Sequence, residues 1–558
     1  MANNIDSLIE KFALANAFQY NGKAQLGSVI GKLISEDPKI KARLKELAPK
    51  IAKIISEINK LSIKQQEEKL LKIYPEFFEK KEHEEKQLKD MPNAVKGKVV
   101  MRLEPSFSGR MHIGHAFPLS LNYSYVKKYD GKLIIRLADT NPKSVELSAY
   151  KGLPEDANWL TSNGVDKIVI QSDRMPLYYK YIEEFIKKGF AYICNCNPEK
   201  WKKLTSAKTA CPCRSITPKE NLERWKHMLK DYKEGEAVLR IKTDIKHPNP
   251  AIRDWPAARI IDMPHPRQGK KYRIWPLMNL SVAIDDHKLG ITHAIRAKEH
   301  IDNEKRQLYL YRYMNWKAPT QLYVGRIKFE GMELSKSKIR TMIESKKYSG
   351  WDDVRLPTLL ALKRRGYQPH AIVDFFTSMG VSEVDKNISS TDFFKLLDAA
   401  NRKLIDPIAH RYSFVPMPVK IDIQNAPNIK EIIVKLHPDN DKELKKVKVG
   451  DKFYISKNDF ANLKGKEIRL MHLYNINLNT KSRFTSVENK DIPRITWVPT
   501  GFSVKTEVLM PDGKIEFGFA EKNVEKLKVG DIIQFERFGF VRLDKKEKTK
   551  LTFCYTHN

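Results

Sequence analysis

Cysteine is scarce, five in 558 residues, and so few cannot form a disulfide framework in a chain of this length. No run of about 18 uncharged apolar residues occurs, so no helix is expected to span a membrane. The first ten residues carry Asp6 and Glu10 and lack the apolar core of a secretion signal, so a reducing cytoplasm is expected. Negative charge is short: 68 acidic residues face 101 Lys and Arg, leaving a net +33. A surplus of that size suits a polyanion as working partner, and nucleic acid leads. A hydrophobic fraction of 41% and a mean hydropathy of -0.51 exclude wholesale disorder. At roughly 100–200 residues per domain, the length implies about three to five folding units.

Residues 1–95 are rich in Lys, Glu, Leu and Ile, with Ile51, Ile54, Ile55, Ile58 and Leu61 at three- and four-residue steps, which predicts a helical arm. Its nearly all-charged end, Glu79 to Asp90, reads as a linker. From residue 96 to 340, short β-rich runs (Val99–Leu103, Leu133–Leu137, Ile168–Ile170) alternate with helical segments, the signature of βαβ units around a parallel sheet. The pattern is interrupted over about 195–275 by a Pro-, Trp- and Lys-rich stretch, after which Gly290–Arg296 reads as a further buried strand. We therefore expect an α/β Rossmann domain split by an insertion. Residues 341–404 return to helical spacing. Residues 405–558 favour strands and turns, with Lys448-Val449-Gly450-Asp451 echoed by Lys528-Val529-Gly530-Asp531, and predict an all-β, barrel-like unit with some internal duplication.

The chemistry begins after the first strand, in Glu104-Pro105-Ser106-Phe107-Ser108-Gly109-Arg110-Met111-His112-Ile113-Gly114-His115. A loop entering a helix offers free backbone N–H groups and a positive dipole end to phosphate. His112 and His115, three residues apart, share one helix face and can contact phosphate oxygens, and Gly114 permits close approach of a ring or backbone. Far along the chain, Glu333-Leu334-Ser335-Lys336-Ser337-Lys338 sets a lysine between small hydroxyl residues, able to bring a point charge to a triphosphate.

Together these segments resemble the class I aminoacyl-tRNA synthetases: His112-Ile113-Gly114-His115 is that family's HIGH signature, and Leu334-Ser335-Lys336-Ser337 is similar to its KMSKS loop. Arg136-Leu137-Ala138-Asp139-Thr140-Asn141-Pro142, Asp285-Asp286-His287 with Gly290-Ile291-Thr292-His293 and Arg296, Gly350-Trp351-Asp352-Asp353 with Arg355-Leu356-Pro357-Thr358-Leu359, and Glu536-Arg537-Phe538-Gly539-Phe540-Val541-Arg542 resemble the glutamyl/glutaminyl branch of archaeal and eukaryotic type. The resemblance covers about residues 96–558. It implies ATP- and Mg²⁺-dependent activation of L-glutamate and transfer to the 3′ end of tRNA-Glu, with tRNA-Gln as a further acceptor, by a monomer. His112, His115 and Lys336 would supply charge and hydrogen-bond donors in catalysis. ATP would be bound by His112, Gly114, His115, Ser335, Lys336 and Ser337. The amino acid would be bound by Arg102, Ser106, Asp139, Met278 and Arg296, the arginines suiting carboxylates because they bind bidentately. Two positions depart from the branch: Ala138 replaces an acid that receives the substrate ammonium, and Met278 a tyrosine of the pocket. A neighbour such as Glu104 is the candidate to restore the missing negative charge. The rivals are a glutaminyl-tRNA synthetase and a non-catalytic tRNA-binding paralogue.

Cys194, Cys196, Cys211 and Cys213 fall within twenty positions and can close a tetrahedral Cys₄ site for structural zinc; a cysteine-rich knuckle of this kind occurs in the acceptor-binding insertion of some family members. Cys554 stands alone and reads as a packing residue. Basic runs at Trp201-Lys202-Lys203, Lys363-Arg364-Arg365 and Lys545 to Lys550 are the candidate RNA-facing segments.

Overall fold

The computed structural model describes residues 2–20, 22–77 and 88–558. Most of the expected charged linker, residues 79–87, lies outside the described residues. Residues 1–87 and 88–558 separate as two compact units. In the first, α1 (Ala2–Gln19), α2 (Leu26–Glu36), α3 (Leu44–Ile58) and α4 (Ile63–Ile73) close around Ile9, Leu14, Val29, Leu33, Ile51 and Leu70. A capping box of Ser62 and Gln65 starts α4, satisfying N–H groups that a helix start otherwise leaves free. Residues 88–95, assigned by sequence to the arm, belong to the second unit: Met91 is buried in its core and its N–H donates to the Tyr129 hydroxyl at 3.0 Å.

The second unit opens with β1 (Val100–Leu103), α5 (Ile113–Lys128), β2 (Lys132–Leu137), α6 (Ala149–Leu160), β3 (Lys167–Ile170) and α7 (Met175–Lys187), and its three strands pair in parallel in that order. The insertion follows: β4 (Ala191–Cys194), α8 (Pro198–Ser206), α9 (Pro218–Lys230), β5 (Val238–Ile241), β6 (Pro256–Ile260) and β7 (Ile274–Pro276) make an antiparallel sheet whose core around Trp225, Trp255 and Trp275 is shared with Phe185 of α7 and with Leu280, Ile284 and Leu310 further on. After α10 (Met278–Lys288) the parallel sheet resumes with β8 (His293–Ala297), α11 (Ile301–Tyr313) and β9 (Thr320–Val324). Thr292 joins the halves: its N–H donates to the Val100 carbonyl and its hydroxyl accepts from the Val100 N–H, each at 2.9 Å. The strand order is therefore β3-β2-β1-β8-β9, and the chain reverses direction across the sheet between β1 and β8. In open α/β sheets, ligands bind at the carboxyl ends of the strands at such a switch point.

Past β10 (Ile327–Glu330) come α12 (Lys336–Glu344), α13 (Leu359–Arg365), α14 (Pro369–Met379), β11 (Lys386–Ser389) and α15 (Ser390–Ile405). β11 is a strand inside the segment expected to be wholly helical, and it pairs in parallel with β10. The remaining chain forms two seven-stranded sheets and a hairpin, Glu431–His437 with Asn440–Lys448. One sheet packs on Phe414, Phe535, Leu543 and Phe553, the other on Phe453, Ile468, Tyr474 and Trp497. The two echoed turns each lead into a strand, Lys452–Ser456 in one sheet and Ile532–Phe535 in the other. The buried pair Lys445–Glu521, 2.7 Å apart, ties the hairpin to the sheet built on Phe414.

Candidate active site

The loop from β1 to α5 is fixed at its far end by Asp156 of α6, which accepts from Arg110 Nη2 at 2.7 Å and from the Met111 N–H at 2.8 Å. Gly109 has φ +135°, and a Cβ there would lie 2.6 Å from Trp351, so the indole seats directly on the loop backbone. The Ile113 N–H donates to the Pro357 carbonyl and the Leu359 N–H to the Met111 carbonyl, both at 3.0 Å. These pairings hold His112 at the mouth of α5, where its Nδ1 accepts from the Gly114 N–H at 3.0 Å. The His112 and His115 rings stand 4.0 Å apart. Burial, then the charge of Lys336, brings His112 down to about 3; burial, then His112 and Lys336, holds His115 well below its usual value. Both imidazoles are neutral at pH 7. The positive charge expected of all three motif residues therefore falls to Lys336, and the histidines keep the role of hydrogen-bonding groups.

Lys336 opens α12, and its Nζ donates to the Ser106 carbonyl at 2.8 Å and the Gly109 carbonyl at 3.2 Å. Burial lowers its ammonium to about 8. The Ser335 and Ser337 hydroxyls lie 3.0 Å apart, and Arg340 bonds the Ser108 carbonyl at 2.9 Å and pairs with Glu146. His112, His115, Lys143, Arg326, Lys336 and Arg340 face one cavity of about 650 Å³. Ser106, expected with the amino acid, borders this cavity, and its Oγ lies 3.4 Å from His115 Nε2.

A second cavity, about 360 Å³, lies at the carboxyl ends of β1 and β8, with Gly114 shared between the two. Arg102, Glu104, Met278, Arg296, His300 and Gln307 line it. Beneath it Asp286 gathers three guanidinium groups: Arg136 Nη1 at 2.6 Å, Arg102 Nε at 3.3 Å and Arg296 Nη2 at 3.5 Å. Burial would raise the Asp286 carboxyl, but Arg102, Arg136 and Arg296 outweigh it and hold the group at about 2. Glu104 pairs with Arg136 at 2.5 Å. Three cations against two anions leave this cluster one positive charge in surplus, Arg326 on the cavity wall adds another, and among the described residues Arg296 Nη2 makes no hydrogen bond.

Asp139 is not brought to this cavity. It is buried, accepting from the Ser172 N–H at 2.8 Å, the Ser172 hydroxyl at 2.6 Å and the Tyr150 hydroxyl at 2.6 Å. The side chain is thus spent on Ser172 and Tyr150, while the main-chain carbonyl accepts from His265 of the insertion. Sequence reasoning missed Gln307, His300 and the organising part of Asp286. The available signal for Asp286 was a pair of acids, Asp285 and Asp286, following the apolar run Val282-Ala283-Ile284 in the helix Met278–Lys288.

In the insertion, the sulfurs of Cys194, Cys196, Cys211 and Cys213 all lie within 4.8 Å of one another, with Cys194–Cys211 and Cys196–Cys213 each at 3.9 Å. Tetrahedral zinc with bonds of about 2.3 Å needs sulfur separations of about 3.8 Å, so this donor set fits the metal. A hydrogen bond from Cys194 draws Cys211 down to about 5, and Cys194 itself is driven up. Cys554 is buried, and burial pushes its thiol up to about 12. The basic runs are less free than their sequence suggests. Trp201 is covered by the Arg240 guanidinium, 3.6 Å from the ring. Arg364 pairs with Asp544 at 2.7 Å, Arg365 donates to the Thr556 carbonyl, and Lys550 pairs with Glu507 at 3.0 Å.

Known proteins share the sequence that builds these domains. Residues 98–406 match the catalytic domain of class I (E and Q) tRNA synthetases, and residues 409–495 and 494–544 match two anticodon-binding domains of the same class. The glutamate–tRNA ligase of Pyrococcus furiosus is 46% identical over 99% of this chain and 100% of its own length. That of Methanocaldococcus jannaschii is 44% identical over 99% and 100%, and that of Methanosphaera stadtmanae 40% over the whole of both. The chain belongs to the class I tRNA synthetases of the E and Q type, on the glutamate–tRNA ligase side of that family.

Proposed function

We infer that this protein activates L-glutamate with MgATP in the cytoplasm and transfers the glutamyl group to the 3′ end of tRNA-Glu. The observation that carries the reading is the pairing of two cavities across Gly114: one bears Lys336 and the neutral histidines, the other a surplus guanidinium. Glutamate carries a net charge of about −1 at pH 7, which suits a cavity with positive charge in surplus and favours it over neutral glutamine. Arg102 and Arg296 receive its carboxylates, and Glu104, inside the cavity, is the acid that offsets Ala138. Ser106 and Asp139, placed elsewhere, are left out of that pocket.

In the reaction the α-carboxylate oxygen attacks the α-phosphorus in line, and the bond to pyrophosphate breaks. A hydroxyl of the terminal adenosine then attacks the acyl carbon, releasing AMP. Phosphoryl transfer of this kind depends on positioning and on neutralising charge that grows on the phosphate oxygens. Lys336 supplies the charge and His112 and His115 the neutral contacts. Cys194, Cys196, Cys211 and Cys213 would hold zinc with no position left open, so its part would be to brace the insertion.

The test is charging of total archaeal tRNA with radiolabelled glutamate or glutamine, with Lys336→Ala as control. Charging with glutamate alone, abolished in the variant, is the expected result, and separated acceptors show whether tRNA-Gln is also used. Charging with glutamine would move the protein to the sister activity. Tight tRNA binding without charging would make it a non-catalytic paralogue.

A further inference from the structure

Behind the amino-acid cavity runs a line of buried and half-buried amides whose orientation can be read from its ends. Arg296 Nη1 lies 2.9 Å from Gln307 Oε1, and because a guanidinium can only donate, this edge of the Gln307 amide is its oxygen. Its nitrogen therefore donates to Asn279 Oδ1 at 3.1 Å. The Asn279 nitrogen then donates to Asn303 Oδ1 at 3.2 Å. A second guanidinium fixes the same atom independently: Arg306 Nη1 donates to Asn303 Oδ1 at 2.9 Å. Reversing Asn303 would set donor against donor at both contacts. The Asn303 nitrogen is thus the donor to His300 Nδ1, 2.8 Å away.

An imidazole that accepts at Nδ1 carries its proton at Nε2 and is neutral. Burial, then Arg296, also lowers the His300 pKa. His300 ends the turn before α11 and lines the cavity beside Arg102 and Arg296. With Nδ1 engaged, the Nε2 edge is what the ring has left to offer, and Nε2 makes no hydrogen bond within the described residues.

We propose that His300 contacts the substrate, its Nε2–H donating a hydrogen bond to an oxygen of the amino acid or of the nucleotide. An uncharged donor beside two arginines adds direction to the site without adding charge. This rests on the activity proposed above.

The test separates the two edges of the ring, because a glutamine amide reaches the place of Nε2 and an asparagine amide the place of Nδ1. KM for glutamate and for ATP is measured with tRNA present for the wild type, His300→Gln and His300→Asn, with thermal midpoints confirming that each is folded. His300→Gln is expected to stay within about twofold of the wild type. His300→Asn keeps the Asn303 contact but loses the donor, and is expected to raise one KM roughly fivefold, the size of one neutral hydrogen bond. A rise in KM for glutamate assigns the oxygen to the amino acid, and a rise in KM for ATP assigns it to the nucleotide. His300→Asn matching the wild type, or both variants failing alike, would overturn the contact. A wild type that does not charge glutamate would sink the proposed activity instead, which the variants' pattern does not touch.

Discussion

Lys336 sits at about 8 because burial removes water from its ammonium, and its ordinary value of 10.5 means a fall of about 2.5 units. At 1.36 kcal/mol per unit, keeping it charged in the empty site costs about 3 kcal/mol. A triphosphate beside it returns that energy, so the lysine holds its proton more tightly once ATP is bound. The rate at low ATP, kcat/KM, reports the free enzyme and should fall as pH rises through about 8; kcat, reporting the loaded enzyme, should persist to higher pH. ATP–pyrophosphate exchange with saturating glutamate and tRNA avoids the alkaline loss of charged tRNA. Lys336→Arg, whose guanidinium stays charged, should lose the limb near pH 8 even if slower overall. The same limb in Lys336→Arg, or none in the wild type, would refute the reasoning. Stability runs in the matching direction: below pH 8 the penalty is full, and between 8 and 10.5 the unfolded chain binds a proton the folded one has released, so stability should rise with pH there.

Two other outcomes follow from buried groups. Asp286→Asn leaves three guanidinium groups with Glu104 as their acid, and removing one partner of a buried ionic cluster costs about 3–5 kcal/mol; in a unit as large as residues 88–558 the thermal midpoint should drop by about 3–5 °C, and a drop below about 1 °C would count against the cluster's role. Because the folded Asp286 carboxyl is depressed to about 2, its contribution is complete above its unfolded value and is lost as pH falls through 2. Cys211→Ser should abolish a zinc content of about one per chain and open residues 194–213 to protease, measured by elemental analysis and limited digestion; wild-type protein purified without chelators that contains no zinc would end the metal assignment.

What the sequence made legible was the chemistry carried by neighbours. His112, Gly114 and His115 act within one helical turn, and their spacing alone placed them together. Arg102 and Arg296 could be paired only through the family resemblance, yet both reach the cavity because β1 and β8 are adjacent. Asp139 went the other way: a motif fixes where an acid lies on the chain but not which way it points, and Ser172 and Tyr150 claim it. β11 was hidden because four residues are too few to show alternation and its pairing with β10 is made far along the chain. Lys363-Arg364-Arg365 read as surface charge, but Asp544 and the Thr556 carbonyl, both distant in sequence, take up two of its three residues.

The hydrogen bond joining Val100 to Thr292 spans 192 residues, and that interval has a meaning in time. At about 5–20 residues per second of synthesis, β1 would leave the ribosome roughly 10–40 s before its neighbour β8. During that wait one flank of β1 is an open edge, able to pair with another chain. The insertion has its own antiparallel sheet, but its tryptophan core also takes Leu280 and Ile284 of α10 and Leu310 and Tyr311 of α11, so that core is completed only after β8 has been made. A nascent chain stalled between residues 276 and 293 would therefore carry an unfinished insertion beside a half-built sheet, and crowded polysomes are where this protein should be most prone to aggregate.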